Sequence, residues 1–227
     1  MWDPVVPYLD EVLALDLPGH GSSPAVDDAS PAGLAAAIAA QLADRGIERP
    51  HVAGNSLGGW VALELGLSGV AASVTAIAPA GLWPQPLLPR RTPARTLARL
   101  ALPFVGPLLQ TEGARRVALA ANAAHPERIP PDAARRLVRA YATAPGFDAI
   151  NDAMRSSRFT RLADIPVPVT LAWPEHDRLV ARPRSIPPGV RSVVLRGCGH
   201  LPTWDDPEQV ACVLHEGSAV QARSIRQ

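Results

Sequence analysis

The stretch Gly54-Asn55-Ser56-Leu57-Gly58 constrains the fold of this chain more than any other. It has the form G-x-S-x-G. A short apolar run, His51-Val52-Ala53, precedes it, and Gly59-Trp60-Val61-Ala62-Leu63-Glu64-Leu65, which reads as a helix, follows. Strand, sharp turn and helix in that order form the setting of a nucleophile elbow. The reason is steric. The serine takes a strained backbone conformation, and its neighbours must be small so that strand and helix can approach. Gly54 and Gly58 are expected to meet that need, with Gly59 adding slack. Such a turn leaves the Ser56 hydroxyl exposed above the sheet, near the backbone N–H groups of the new helix. A Gly/Ser turn that fits the pattern by chance is the plain alternative, so the rest of the chain has to decide.

Around that turn the pattern alternates. Trp2, Val5, Val6, Leu9 and Val12 fall at helical spacing, with Asp3 and Pro4 suited to a helix start. Val12-Leu13-Ala14-Leu15-Asp16-Leu17 reads as a strand, stopped by Pro18-Gly19-His20-Gly21. Ser30 as N-cap and Pro31 as first helical residue open a helix through Leu34, Ile38 and Leu42 to Gly46. The apolar runs at Val74–Ala78, Pro168–Trp173 and Arg191–Leu195 read as further strands. A last helix starts near Asp206-Pro207-Glu208, with Asp206 as its N-cap. Five strands alternating with helices predict an α/β fold: a mostly parallel sheet with helices on both faces. Residues 1–81 and 163–227 supply the two parts of that core.

Residues 82–162 break the rhythm. They are rich in Arg, Ala and Pro and hold no convincing strand; helices are expected over 95–102, 114–124, 133–142 and 147–159. An insertion of this length between parallel strands exceeds an ordinary connection. Connections at the carboxyl ends of parallel strands face the ligand crevice, so a helical lid is expected here rather than a bundle apart from the substrate. Leu87, Leu97, Leu100 and Phe104 are candidates to shape an apolar pocket, or else to fill the core of the lid itself.

Composition narrows the class. Apolar residues make up 47% of the 227, enough for a sizeable core, and the net charge of +1 gives no reason to expect a nucleic-acid partner. All 22 basic residues are arginine, which with 25 prolines suggests coding bias rather than chemistry. Two cysteines, Cys198 and Cys212, make a disulfide framework unexpected. No apolar run reaches the ~18 residues of a membrane span, and Met1-Trp2-Asp3-Pro4 lacks the features of a secretory signal. A cytoplasmic location, no cofactor and no metal are expected. The oligomeric state stays open.

A serine needs an adjacent base, itself oriented by a third group. Pro174-Glu175-His176-Asp177-Arg178 follows one strand and Gly197-Cys198-Gly199-His200-Leu201-Pro202 follows the next. Both are loops at carboxyl strand ends, the same edge as the elbow. The chain order Ser56, Asp177, His200 matches a Ser…Asp…His arrangement. The bland alternatives are a surface-turn aspartate and a loop histidine capped by backbone. His176 comes too early in the order and reads as exposed loop. Asp205 and Asp206 read as a helix start, and Trp60 as core.

On these stretches, together with Asp16-Leu17-Pro18-Gly19-His20-Gly21-Ser22-Ser23 and Trp204-Asp205-Asp206-Pro207, the chain resembles the α/β-hydrolase-fold superfamily, in particular its lid-bearing, esterase-like members. The resemblance covers nearly the whole chain outside residues 82–162. It implies Ser56 as nucleophile, His200 as general base and then acid, and Asp177 as the group that holds the imidazole tautomer. It implies the Leu57 N–H as one oxyanion donor and His20 as a structural residue at the edge of the site. Cys198 neighbours His200, but a cysteine nucleophile would belong at the elbow. Relatives that open epoxides or displace halide use aspartate there, so serine implies acyl transfer to water. Esters are the default small-molecule substrates, with amides, lactones and the carbon–carbon bonds of some diketones possible on the same site. A non-catalytic binding protein and a cofactor-free perhydrolase are the alternatives.

The resemblance departs at the start. Relatives begin with two or three more strands and a His-Gly loop, about 25 to 40 residues at ordinary element lengths. That loop supplies the second oxyanion donor, whose loss typically costs about 10²–10³ in kcat. A strand is expected between 12–17 and 51–55. The sequence as given therefore predicts a gap there, which a continuous ladder between those segments would refute.

Overall fold

The computed structural model describes residues 1–88 and 93–224. Four parallel strands, β1 (His51–Asn55), β2 (Ser73–Ile77), β3 (Val169–Pro174) and β4 (Arg191–Leu195), form one sheet in that order. The register pairs Gly54 with Ala76, Ala76 with Leu171 and Leu171 with Ser192. Every residue of β2 and β3 is buried, as a parallel sheet covered on both faces requires.

Side chains alternate across that sheet. Val74, Ala76, Val169, Leu171 and Trp173 share a cluster with Trp60 and Leu63 of α2 (Leu57–Leu67). On the other face Ile77, Ala172 and Leu195 meet Val210, Ala211 and Val213 of α8 (Pro207–Ser224). α1 (Pro31–Asp44) packs on α2 through Leu34, Ile38 and Leu42 against Val61 and Leu65. Its start follows the sequence: Ser30 Oγ accepts from Gly33 N at 3.0 Å, with Pro31 in the first turn.

Two expectations fail near the N-terminus. Residues 12–17 form no strand, and the helix expected over residues 2–11 shrinks to one 3₁₀ turn, Val6–Tyr8. Pro7 within that stretch removes a backbone donor. For 12–17 the reason is the absence of a ladder: among the described residues their N–H groups make no backbone hydrogen bond. Among the described residues the sheet thus has four strands, not five. The expected gap is present, and a cavity of 1790 Å³ runs between this segment and β1.

Between β2 and β3 stand α3 (Pro93–Leu108), α4 (Glu112–Ala118), α5 (Pro131–Thr143) and α6 (Phe147–Ser156). They close on a core of their own: Val105, Leu109, Leu119, Ile129 and Ala134. Buried Arg95 of α3 donates to the carbonyls of Tyr141 and Ala144 and pairs with Asp148. Of the four residues expected at a pocket, only Leu87 lines the cavity. Leu97, Leu100 and Phe104 are 66–70% exposed, because Val105 and Leu109 occupy the inward side of α3. Among the described residues no helix is long and apolar enough to cross a membrane.

Candidate active site

Ser56 sits between β1 and α2 with φ 57° and ψ −118°. Such a conformation costs a non-glycine residue about 1–3 kcal/mol and persists only where the surroundings enforce it. Here they do. Ser56 N donates to Ile77 O at 2.9 Å, and Ser56 O accepts from Trp60 N at 3.1 Å and Ala80 N at 3.0 Å. Glycine is demanded at position 54, where an added Cβ would lie 2.0 Å from Gly58 O. Gly59 packs against Pro79, an added Cβ lying 3.0 Å from its Cα. Gly58 departs from the sequence reading: a Cβ there would meet nothing within 4 Å. Leu57 opens α2, so its N–H is one of the helix-start donors without an intrahelical acceptor.

Asp177 follows β3 and His200 follows β4. The fold brings them together: His200 Nδ1 lies 2.7 Å from Asp177 Oδ2, with both side chains nearly buried at 6% and 4% exposure. Asp177 Oδ1 accepts from Leu179 N at 2.7 Å and Val180 N at 3.0 Å. Burial pushes the Asp177 carboxyl upward. The hydrogen bond and charge of His200 and the two backbone donors outweigh it, so the group is held below the ordinary aspartate range.

The elbow and the histidine loop are stitched by a residue that sequence reasoning passed over. Buried Asn55 donates from Nδ2 to His200 O at 3.1 Å and to Ile77 O at 3.2 Å. Ser56, Leu57 and His200 then share the wall of one cavity. Among the described residues no hydrogen bond joins Ser56 Oγ to the imidazole. Catalytic hydrogen bonds are often long in unliganded sites and tighten with substrate.

The sequence places Asp205 at a helix start. It ends the short helix α7 (Pro202–Asp205) and does more. Its Oδ2 accepts from Gly199 N at 2.8 Å and Ala124 N at 2.9 Å, and its Oδ1 from His125 N at 2.9 Å. Leu201 N donates to Asn122 O at 2.6 Å, and Arg178 donates to Ala120 O at 3.2 Å. Residues 120–125 of the insertion are thereby fastened to the loops of both His200 and Asp177. The only hint in the sequence was a second acidic residue ahead of Pro207. Asp206 behaves as expected, accepting from Gln209 N at 2.9 Å.

The remaining candidates fall outside the centre. His176 is exposed, and His20 is half-buried on the cavity wall, its imidazole lowered by burial. Cys198 is buried, and burial with nearby Asp205, Asp206 and Glu175 pushes its thiol to about 12, so it is protonated and unreactive. Among the described residues no group of three or more His, Cys, Asp or Glu is placed to hold a metal ion.

Known proteins share this arrangement of elements. A profile of the Alpha/beta hydrolase family matches residues 1–211. The chain is 32% identical over 200 residues to the epoxide hydrolase EphH of Mycobacterium tuberculosis, covering 80% of this chain and 91% of that protein. A hydrolase from Pseudomonas aeruginosa PA01 superposes with a TM-score of 0.66 at 20% identity, covering 95% of this chain and 83% of its own. A bacterial membrane phospholipase A superposes with a TM-score of 0.65 at 25% identity, covering 94% and 70%. By this match of sequence over almost its whole length, joined to the fold and the strained serine turn, the chain belongs to the alpha/beta hydrolase family and is a hydrolase.

Proposed function

We propose that the chain is a serine hydrolase acting on carboxylic esters or related acyl compounds. One observation carries the reading: a serine at a strained elbow shares a cavity wall with a buried, carboxylate-paired histidine. In this mechanism Asp177 fixes the imidazole with Nδ1 protonated, leaving Nε2 to take the Ser56 proton as Oγ attacks the acyl carbon. The Leu57 N–H donates to the oxygen on which negative charge develops. His200 returns the proton to the leaving group, and an acyl-enzyme remains. Water, activated by the same histidine, releases the acid.

The EphH relative bears the name of an epoxide hydrolase, but Ser56 argues for acyl transfer in this chain, since an ester to serine is readily hydrolysed while an ether left by epoxide opening is not. The name phospholipase on a structural neighbour is in keeping with an ester. The insertion serves as the lid. Leu87, Asn122, Tyr141 and Met154 contribute to the cavity from that side. At 1790 Å³ the cavity exceeds the ~300–1,000 Å³ of ordinary ligand sites, because it merges with the space beside β1.

A fluorophosphonate probe tests the proposal. It should label the wild-type chain stoichiometrically and leave Ser56→Ala unlabelled, and that variant should lose hydrolysis of aryl esters by about 10⁴-fold or more. A folded wild-type chain that resists the probe and cleaves no ester would make this a binding protein instead; turnover only with peroxide would make it a perhydrolase.

A further inference from the structure

We infer that the outer face of α3 docks on anionic lipid surfaces. The first observation is a stripe. Leu97, Leu100, Phe104 and Leu108 are 56–70% exposed. At 100° per residue they fall within about 80° of one another, over a length of about 16 Å. Pro103 and Pro107 are exposed on the same helix. The inward side is already satisfied by Val105 and Leu109 and by Arg95, which is bonded to the backbone of Tyr141 and Ala144. The stripe is therefore surplus to the core of the insertion. An amphipathic helix of this kind, apolar outward on a folded body, needs an apolar partner.

The second observation is charge, and it selects the partner. The chain as a whole is nearly neutral at +1. Residues 82–162 nevertheless hold 13 of its 22 arginines and only 5 of its 21 acidic residues. The insertion carries +8 and the rest of the chain −7. Exposed Arg99, Arg116, Arg135, Arg136 and Arg139 carry part of that charge on the helices around α3. Arg135 lies across Gly106 of α3, and Arg99 leans onto α5 through Ala142 O at 2.7 Å. A second copy of this chain is disfavoured as occupant: a two-fold dimer on this face would set +8 against +8. A bilayer rich in acidic headgroups offers apolar depth for the stripe and negative charge for the arginines.

Flotation with vesicles tests this. Vesicles of equimolar phosphatidylglycerol and phosphatidylcholine should carry the wild-type chain, vesicles of phosphatidylcholine alone should carry about tenfold less, and raising salt should release it. The double variant Leu100→Ser, Phe104→Ser should lose about tenfold or more in partitioning with unchanged thermal unfolding, since both side chains are solvent-exposed. Arg135→Glu with Arg139→Glu should flatten the salt dependence. Ser56→Ala should float like the wild type, so docking and catalysis fail separately. Wild-type indifference to anionic vesicles overturns the inference, as does full binding by the serine double variant. A wild-type dimer that the double variant splits, with no vesicle binding, assigns the stripe to a second copy and also overturns it.

Discussion

Substituting Gly54 by alanine places a methyl group 2.0 Å from Gly58 O, so strand and helix would have to separate at the elbow. The expected cost is at least ~1–3 kcal/mol, read as a lowered melting temperature, with Ser56 displaced and probe labelling slowed. Gly58→Ala meets open space and gains helix propensity in the first turn of α2. It should hold or raise stability, by up to ~1 kcal/mol. Equal losses for the two variants would show that the close approach at Gly54 is not what shapes the turn. Asp177 gives a pH prediction. Its folded-state pKa is lowered, so the stabilisation it provides is fully present above its unfolded-state pKa and drains away as pH falls through the lowered value. Denaturant titrations from neutral to acid should therefore show a loss of stability at the acid end that Asp177→Asn removes. If the variant keeps the same acid-side slope, another carboxylate is responsible.

Asp205 links elements rather than atoms of the reaction. Three backbone donors from two separate stretches end on one carboxylate. Asp205→Ala leaves three N–H groups seeking other partners, at about 1–3 kcal/mol for each that stays buried. Asp205→Asn retains one acceptor oxygen and should cost less. Both variants should speed amide exchange at Ala124 and His125, and Asn should rescue part of the Ala loss in kcat while leaving KM closer to wild type. Unchanged exchange at those amides would reduce Asp205 to a helix-end residue. This clasp was illegible in the sequence because all three partners are main-chain groups, which carry no residue signature, and two of them lie 80 and 81 positions away. By contrast the pairing of Asp177 with His200 was legible. A carboxylate and an imidazole are named by the sequence itself, and the strand before each puts both at one edge of the sheet. Gly58 misled for a related reason, since a motif names the residue but not which of its neighbours comes close.

Across the whole molecule, the apolar runs that became β2, β3 and β4 were readable because each is short and bounded by turns. The run at 12–17 has the same look and forms no strand. A short, mostly apolar run reports that a segment can be buried in extended form, while a strand also requires a neighbour with free backbone groups in register. Segment 12–17 lies across a 1790 Å³ cavity from β1 and has none. The sheet should consequently be graded in stability. β2 and β3 each have two strand neighbours and are buried throughout; β1 has one neighbour and an exposed start. Native-state hydrogen exchange reads such gradients residue by residue. Amides of β2 and β3 should exchange only through global unfolding, with a denaturant dependence equal to that of the whole domain. Those of β1 that face away from β2 should exchange faster and with less dependence, and those of residues 12–17 at nearly the rate of an unstructured chain. Slow exchange over residues 12–17 would mean that the segment has found backbone partners in solution. The cavity beside β1 would then be closed, and the site would have a wall between Ser56 and the N-terminal segment.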